Sequence, residues 1–99
     1  MTINLTVKQL ANKIDHTLLK ADAQEADFEK LCQEARSYGF KMVAINSYPV
    51  ALCKKLLDGS LVHVGAAIGF PLGQTTIETK VVETKEAIKN GADEIDYVI

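Results

Sequence analysis

The first residue here that could do chemistry is a carboxylate set among apolar residues in the interior of a strand. In Glu94-Ile-Asp-Tyr-Val-Ile99, alternation puts Ile95, Tyr97 and Ile99 on one face and Asp96 and Val98 on the other. A carboxylate in that setting is costly to bury unless it is paired or moves protons. The alternative is a strand-end Asp96 that faces solvent. Other chemistry-bearing groups give less. Gly69-Phe-Pro-Leu-Gly73 invites a phosphate-loop reading, but its glycines fit neither the Walker nor the dinucleotide spacing and read as turn-formers. Cys32 and Cys53 lack the spacing of a metal or redox pair and read as reduced core thiols. His16 and His63, each without a partner motif, read as structural. No metal site and no cofactor are expected.

Composition narrows the field further. The 99 residues are 47% hydrophobic and 24% charged, the balance of an ordinary globular domain or part of one. A net charge of −2, with acids and bases interspersed, gives no footprint for nucleic acid. No cationic amphipathic stretch, signal-like segment or apolar run long enough to span a bilayer stands out, so no membrane role and a cytoplasmic location are expected.

Helical and strand patterns alternate along the chain. Thr6-Val-Lys-Gln9 has the form of a capping box, and Val7, Leu10, Ala11 and Ile14 follow at helical spacing. Residues 15–23 break that period and read as a loop. A second helix runs from about Gln24, with Phe28, Leu31, Cys32, Ala35 and Tyr38 on one face and Gly39 as its stop. Residues 41–46 read as a buried strand. Ser47 and Pro49 open a helix carrying Val50, Cys53, Leu56 and Leu57, and Gly59 ends it. Residues 61–68 form the second strand. Thr75-x-x-Glu78 reads as another capping box, before a helix carrying Ile77, Val81, Ala87 and Ile88 up to Gly91. Residues 94–99 form the third strand. The pattern predicts α/β architecture with about three parallel strands, preceded by an N-terminal helix. It does not separate a piece of a barrel from a small open sheet.

Four segments carry a resemblance. Ile14-Asp-His-Thr-Leu-Leu19, Leu31-Cys-Gln-Glu-Ala35 followed by Tyr38-Gly-Phe40, Val64 to Gly73, and Gly91-Ala-Asp-Glu-Ile-Asp96 occur in this order. The ordered set resembles the deoxyribose-phosphate aldolases, class I enzymes that form a lysine imine. The family's fold is a TIM (β/α)8 barrel, which needs about 250 residues. The resemblance therefore implies that residues 1–99 are the N-terminal part of an incomplete barrel.

The resemblance implies a role for Asp96 in a proton relay and a place for Asp15 at the edge of the same network. For Asp15, local backbone capping is an equal alternative. Asn46, which closes its strand, and Thr17 in the first signature would contact substrate. Ala44 stands where the family often has a cysteine, so no thiol role is expected.

An imine-forming lysine must be an unprotonated amine near neutral pH, which takes burial or a neighbouring cation. The ten lysines lie mostly among polar neighbours. Lys41 opens a strand at the wrong end, and Lys54 and Lys55 sit on an outer helix. The family's reactive lysines and phosphate-holding loops come later. The expectation is reversible cleavage of 2-deoxy-D-ribose 5-phosphate to glyceraldehyde 3-phosphate and acetaldehyde by the whole barrel. These 99 residues alone should be inactive and should self-associate through an open strand edge. The competing reading is a flavodoxin-like βαβαβ module that binds a small ligand without catalysis.

Overall fold

The computed structural model describes residues 3–99. Along the chain lie α1 (Val7–Ala11), β1 (Asp15–Leu18), α2 (Glu25–Tyr38), β2 (Met42–Asn46), α3 (Val50–Leu56), β3 (His63–Ile68), α4 (Ile77–Lys89) and β4 (Glu94–Tyr97).

Local chemistry sets most of these boundaries. The Thr6 hydroxyl accepts the Gln9 N–H, and the Gln9 side chain accepts the Thr6 N–H in return, so the box expected before α1 is formed. At the start of α2 the Asp27 carboxylate accepts the Gln24 N–H at 2.8 Å. That helix ends at Gly39, whose φ of 70° is the left-handed turn that glycine makes without a Cβ penalty.

Four expectations need correction. Asp15–Leu18 is a strand, so the sheet has four strands rather than three. Helix α1 stops at Ala11, and Ile14 lies in the approach to β1, with its carbonyl accepting the Lys41 N–H. The cap of α4 is Thr76, whose hydroxyl accepts the Thr79 N–H, one residue later than the Thr75 box. Ser47 caps nothing, because its hydroxyl reaches Glu83 on α4 instead.

All four strands are parallel, and their spatial order follows the chain, β1-β2-β3-β4. Leu18, Val43, Ile45, Val64, Ala66, Ile68 and Ile95 share the face on which the helices pack. Phe28, Leu31, Cys32 and Ala35 of α2, Val50, Cys53 and Leu57 from α3 and its C-terminal end, and Ala87 of α4 complete that core. Full burial of the valine, leucine, isoleucine and phenylalanine side chains among these contributes about 1.5–3 kcal/mol each. The two cysteines meet within this core as free thiols. The hydrogen bond from Cys53 and the nearby Arg36 outweigh burial and lower the Cys32 pKa, while the same bond and burial push Cys53 up.

With α2, α3 and α4 on one face, over an order that never reverses, the sheet is the wall of a singly wound barrel. A flavodoxin-like sheet has helices on both faces and a reversal of strand order, and this sheet has neither. Ile77, Val81 and Ile88 were expected to bury the inner face of α4. They remain exposed, and only Ala87 of that helix is fully buried.

Candidate active site

The face of the sheet opposite the helices is built in rungs. Asp15, Met42 and His63 form the first, Thr17, Ala44, Gly65 and Glu94 the second, and Asn46, Ala67 and Asp96 the third. Alternation thus puts all four sequence-predicted site residues, Asp15, Thr17, Asn46 and Asp96, on the same open face. Asp96 lies on the face expected for it, since Ile95 packs against the helix-side core, and on this open face it is exposed to solvent rather than buried.

Asn46 and Asp96 share a rung at the C-terminal ends of their strands. They stand two strands apart, roughly 9–10 Å at the usual spacing. That gap is too wide for a direct hydrogen bond and wide enough for a small ligand between them. The residues around it are small: Ala44, Gly65 and Ala67. Met42 fills the floor, lying where a Cβ on Gly65 would otherwise go. The open face is therefore hollow near its C-terminal end and filled below.

Asp15 is four ladder positions below Asp96, as counted through Met42 and Asn46 on β2. In an eight-stranded barrel with a shear of eight, a layer perpendicular to the axis climbs about one residue per strand. From β1 to β4 that climb is about three residues. The strands here climb in that sense: β1 ends on the rung of Ile95, while β4 continues to Tyr97. Once the wall is curved, Asp15 falls about one residue from the level of Asp96.

Local contacts fix some of these groups. Thr17 donates its hydroxyl to the Asp15 carbonyl at 2.9 Å. Asn46 donates through Nδ2 to the Leu19 carbonyl at 3.5 Å, a long bond that ties the ends of β1 and β2 together. The ion pairs among the described residues are His16–Glu34, Lys54–Asp93 and His63–Glu94, so neither Asp96 nor Asp15 takes part in one. His63, expected to have no partner, holds Glu94 through Nδ1 at 2.7 Å. His16 packs on Phe40 with ring centroids 5.0 Å apart. Both histidines thus have structural partners.

Asp93, just before β4, is turned to the helix side, where it meets Lys54 of α3, and it carries a perturbed carboxyl. Burial pushes its pKa up, but the Val64 N–H, Lys54 and the nearby His63 outweigh that, and the net shift is downward. No lysine occupies a rung position on the open face. Lys54 is held by Asp93, and Lys80 donates to the Gly73 and Thr75 carbonyls at 2.7 Å. No group of three or more His, Cys, Asp or Glu side chains among the described residues could hold a metal. Glu83, which binds the ends of two strands from α4, was missed in the sequence. A glutamate among charged neighbours on a helix carries no signal of such a contact.

An open face at the C-terminal ends of barrel strands, with a free carboxylate over a hollow of small residues, suits an enzyme that moves protons on a small substrate. Comparison with known proteins shows the family. Residues 10–99 match the DeoC/LacD family aldolases, and the chain belongs to that family. It is 60% identical over 94 residues to the deoxyribose-phosphate aldolase of Lactobacillus acidophilus, covering 95% of this chain and 40% of the relative. A crystal structure from Coccidioides immitis matches with a TM-score of 0.93 at 37% identity, over 99% of this chain and 39% of that one. The tetrameric deoxyribose phosphate aldolase of Aeropyrum pernix matches with a TM-score of 0.87 at 36% identity, over 93% of this chain and 39% of that one. The four-stranded sheet is thus part of an aldolase TIM barrel, and the chain spans about 40% of the length of the curated relatives it matches.

Proposed function

We propose that residues 1–99 form one incomplete barrel domain that supplies the carboxylate side of an imine-forming aldolase acting on 2-deoxy-D-ribose 5-phosphate. In the complete barrel, a lysine from a later strand condenses with the substrate aldehyde and expels water. Loss of the C3 hydroxyl proton then breaks the C2–C3 bond. Glyceraldehyde 3-phosphate leaves, and an enamine stays on the lysine. Protonation at C2 and hydrolysis release acetaldehyde and restore the amine. Asp96 moves protons in these steps, with Asp15 in the same network, while Asn46 and Thr17 contact the substrate. The chemistry needs no metal. The carrying observation is the position of Asp96, on the open face near the end of β4 and on the same rung as Asn46 across Ala67.

The test is a hybrid in which residues 1–99 replace the matching segment of the Lactobacillus acidophilus relative. The hybrid is expected to cleave deoxyribose 5-phosphate, and the 99 residues alone are expected to show no turnover. Turnover by the chain alone, or a folded but inert hybrid, would count against the reading.

The free edges support a second element of the proposal, self-association of the chain. β1 and β4 each have a neighbour on one side only. Beside β4 lies an apolar patch of Ile77, Val81, Tyr97 and Ile99, with Ile99 94% exposed. Unpaired edges flanked by apolar surface associate. Light scattering is expected to give a mass above the 10.8 kDa of one chain, whereas a stable monomer would contradict it. No helix among the described residues is long and apolar enough to cross a membrane, and a cytoplasmic setting belongs to the same proposal.

A further inference from the structure

Glu83 projects from the middle of α4 and uses both carboxylate oxygens on the C-terminal ends of two strands. Its Oε2 accepts the Ser47 hydroxyl at 2.7 Å, and its Oε1 accepts the Gly69 N–H at 2.8 Å. Ser47 directly follows Asn46 at the end of β2, and Gly69 directly follows Ile68 at the end of β3. A carboxylate that accepts two such bonds is a stronger tie than a neutral group in the same place. One turn earlier on the same helix, Lys80 holds the far side of the loop through the Gly73 and Thr75 carbonyls. The loop is closed on itself by the Gly73 N–H, which donates to the Gly69 carbonyl at 2.8 Å. Gly73 also abuts Val98, two residues beyond Asp96, so closely that a Cβ there would lie 2.7 Å from Val98 Cγ1.

We propose that Glu83 is a positioning residue for the mouth of the site: it fixes Ser47 and Gly69, and through Ser47 it sets Asn46 against the substrate. This rests on the reading of Asn46 as a substrate contact. Among the described residues, the Asn46 side chain has the long bond to the Leu19 carbonyl as its one hydrogen bond. Displacements of this kind, well under the width of a residue, cost rate and affinity when they loosen a binding group. Glu83 itself lies off the rungs of the open face, on α4.

The test is a double-mutant cycle on the hybrid barrel, read as KM for deoxyribose 5-phosphate. Asn46→Ala and Glu83→Ala are each expected to raise KM about tenfold, and the double variant no further than the worse single, because both act through one contact. Glu83→Gln, which keeps an acceptor for Gly69 and a polar partner for Ser47, should return KM to near the parent value. In the 99-residue chain itself, Gly69 amide exchange should be slow in the parent and in Glu83→Gln, and fast in Glu83→Ala. Where Glu83→Ala does not fold, Ser47→Ala removes one arm of the tie and takes its place. Effects that multiply in the double variant, or unchanged KM and Gly69 exchange in Glu83→Ala, would overturn the positioning role while leaving Asn46 as a contact. An Asn46→Ala variant with unchanged KM would instead remove the substrate-contact reading, and the proposal with it.

Discussion

Asn46 and Asp96 stand on one rung of the sheet with Ala67 between them, one an amide and one a carboxylate, both on the face that the helices leave open. Their separation is the width of a small substrate, and the residue between them is too short to fill it. The first prediction follows. In the hybrid barrel, Asp96→Asn should lower kcat by about 100- to 10,000-fold, the range for a lost acid–base group. KM should change little. As Asp96 has no ion pair, stability should stay within about 0.5 kcal/mol of the parent. A coupled assay for glyceraldehyde 3-phosphate and a thermal melt give both numbers, and a large drop in stability with kcat intact would make Asp96 a structural residue.

The floor of the hollow gives a second prediction. A Cβ on Gly65 would come within 2.5 Å of Met42 Sδ, and Met42 is itself buried. Gly65→Val should therefore cost about 1–3 kcal/mol by overpacking. Met42→Ala in the same chain should recover most of that loss, because the space is then shared again. Urea titrations of the two single variants and the double variant check this. Simple addition of the two costs would show that Met42 does not occupy the space above Gly65.

Much of this was legible in the sequence. The face of Asp96 followed from Ile95, Tyr97 and Ile99, since apolar side chains at alternate positions leave one side for the carboxylate. Helix α2 was legible from its apolar stripe and Gly39. Strand β1 was not. Asp15, His16 and Thr17 are polar, and in the structure β1 is a four-residue edge strand whose residues are half-buried at most. Its backbone ladder to β2 and the packing of His16 on Phe40 hold it, and neither is written in a local apolar period. The apolar residues of α4 were legible as a face, but nothing in the sequence says that this face is left uncovered. The Glu83 tie was illegible for a similar reason, because it joins Ser47 and Gly69 only when three elements meet.

Asp93 supplies a prediction in pH. Although burial opposes it, the Val64 N–H, Lys54 and His63 lower its folded-state pKa below the unfolded value of about 3.9. A depressed carboxylate adds stability that is present above the unfolded pKa and lost as pH falls through the folded one. The parent chain should therefore lose more stability than Asp93→Asn as pH falls from about 5 into the acid range below 3.9. At neutral pH the variant should be the less stable of the two. Urea midpoints across that window decide it, and parallel curves would mean that the carboxylate contributes nothing.

On the proposed function, this chain holds the proton-moving side of an imine-forming site and not its nucleophile. Incubation with acetaldehyde or deoxyribose 5-phosphate, trapping with borohydride and intact-mass measurement test it directly, with the hybrid barrel trapped in parallel. No adduct is expected on the 99-residue chain, and one adduct on the hybrid, at a lysine outside residues 1–99. A stable adduct at one of the ten lysines of the chain, abolished when that lysine is replaced, would contradict it.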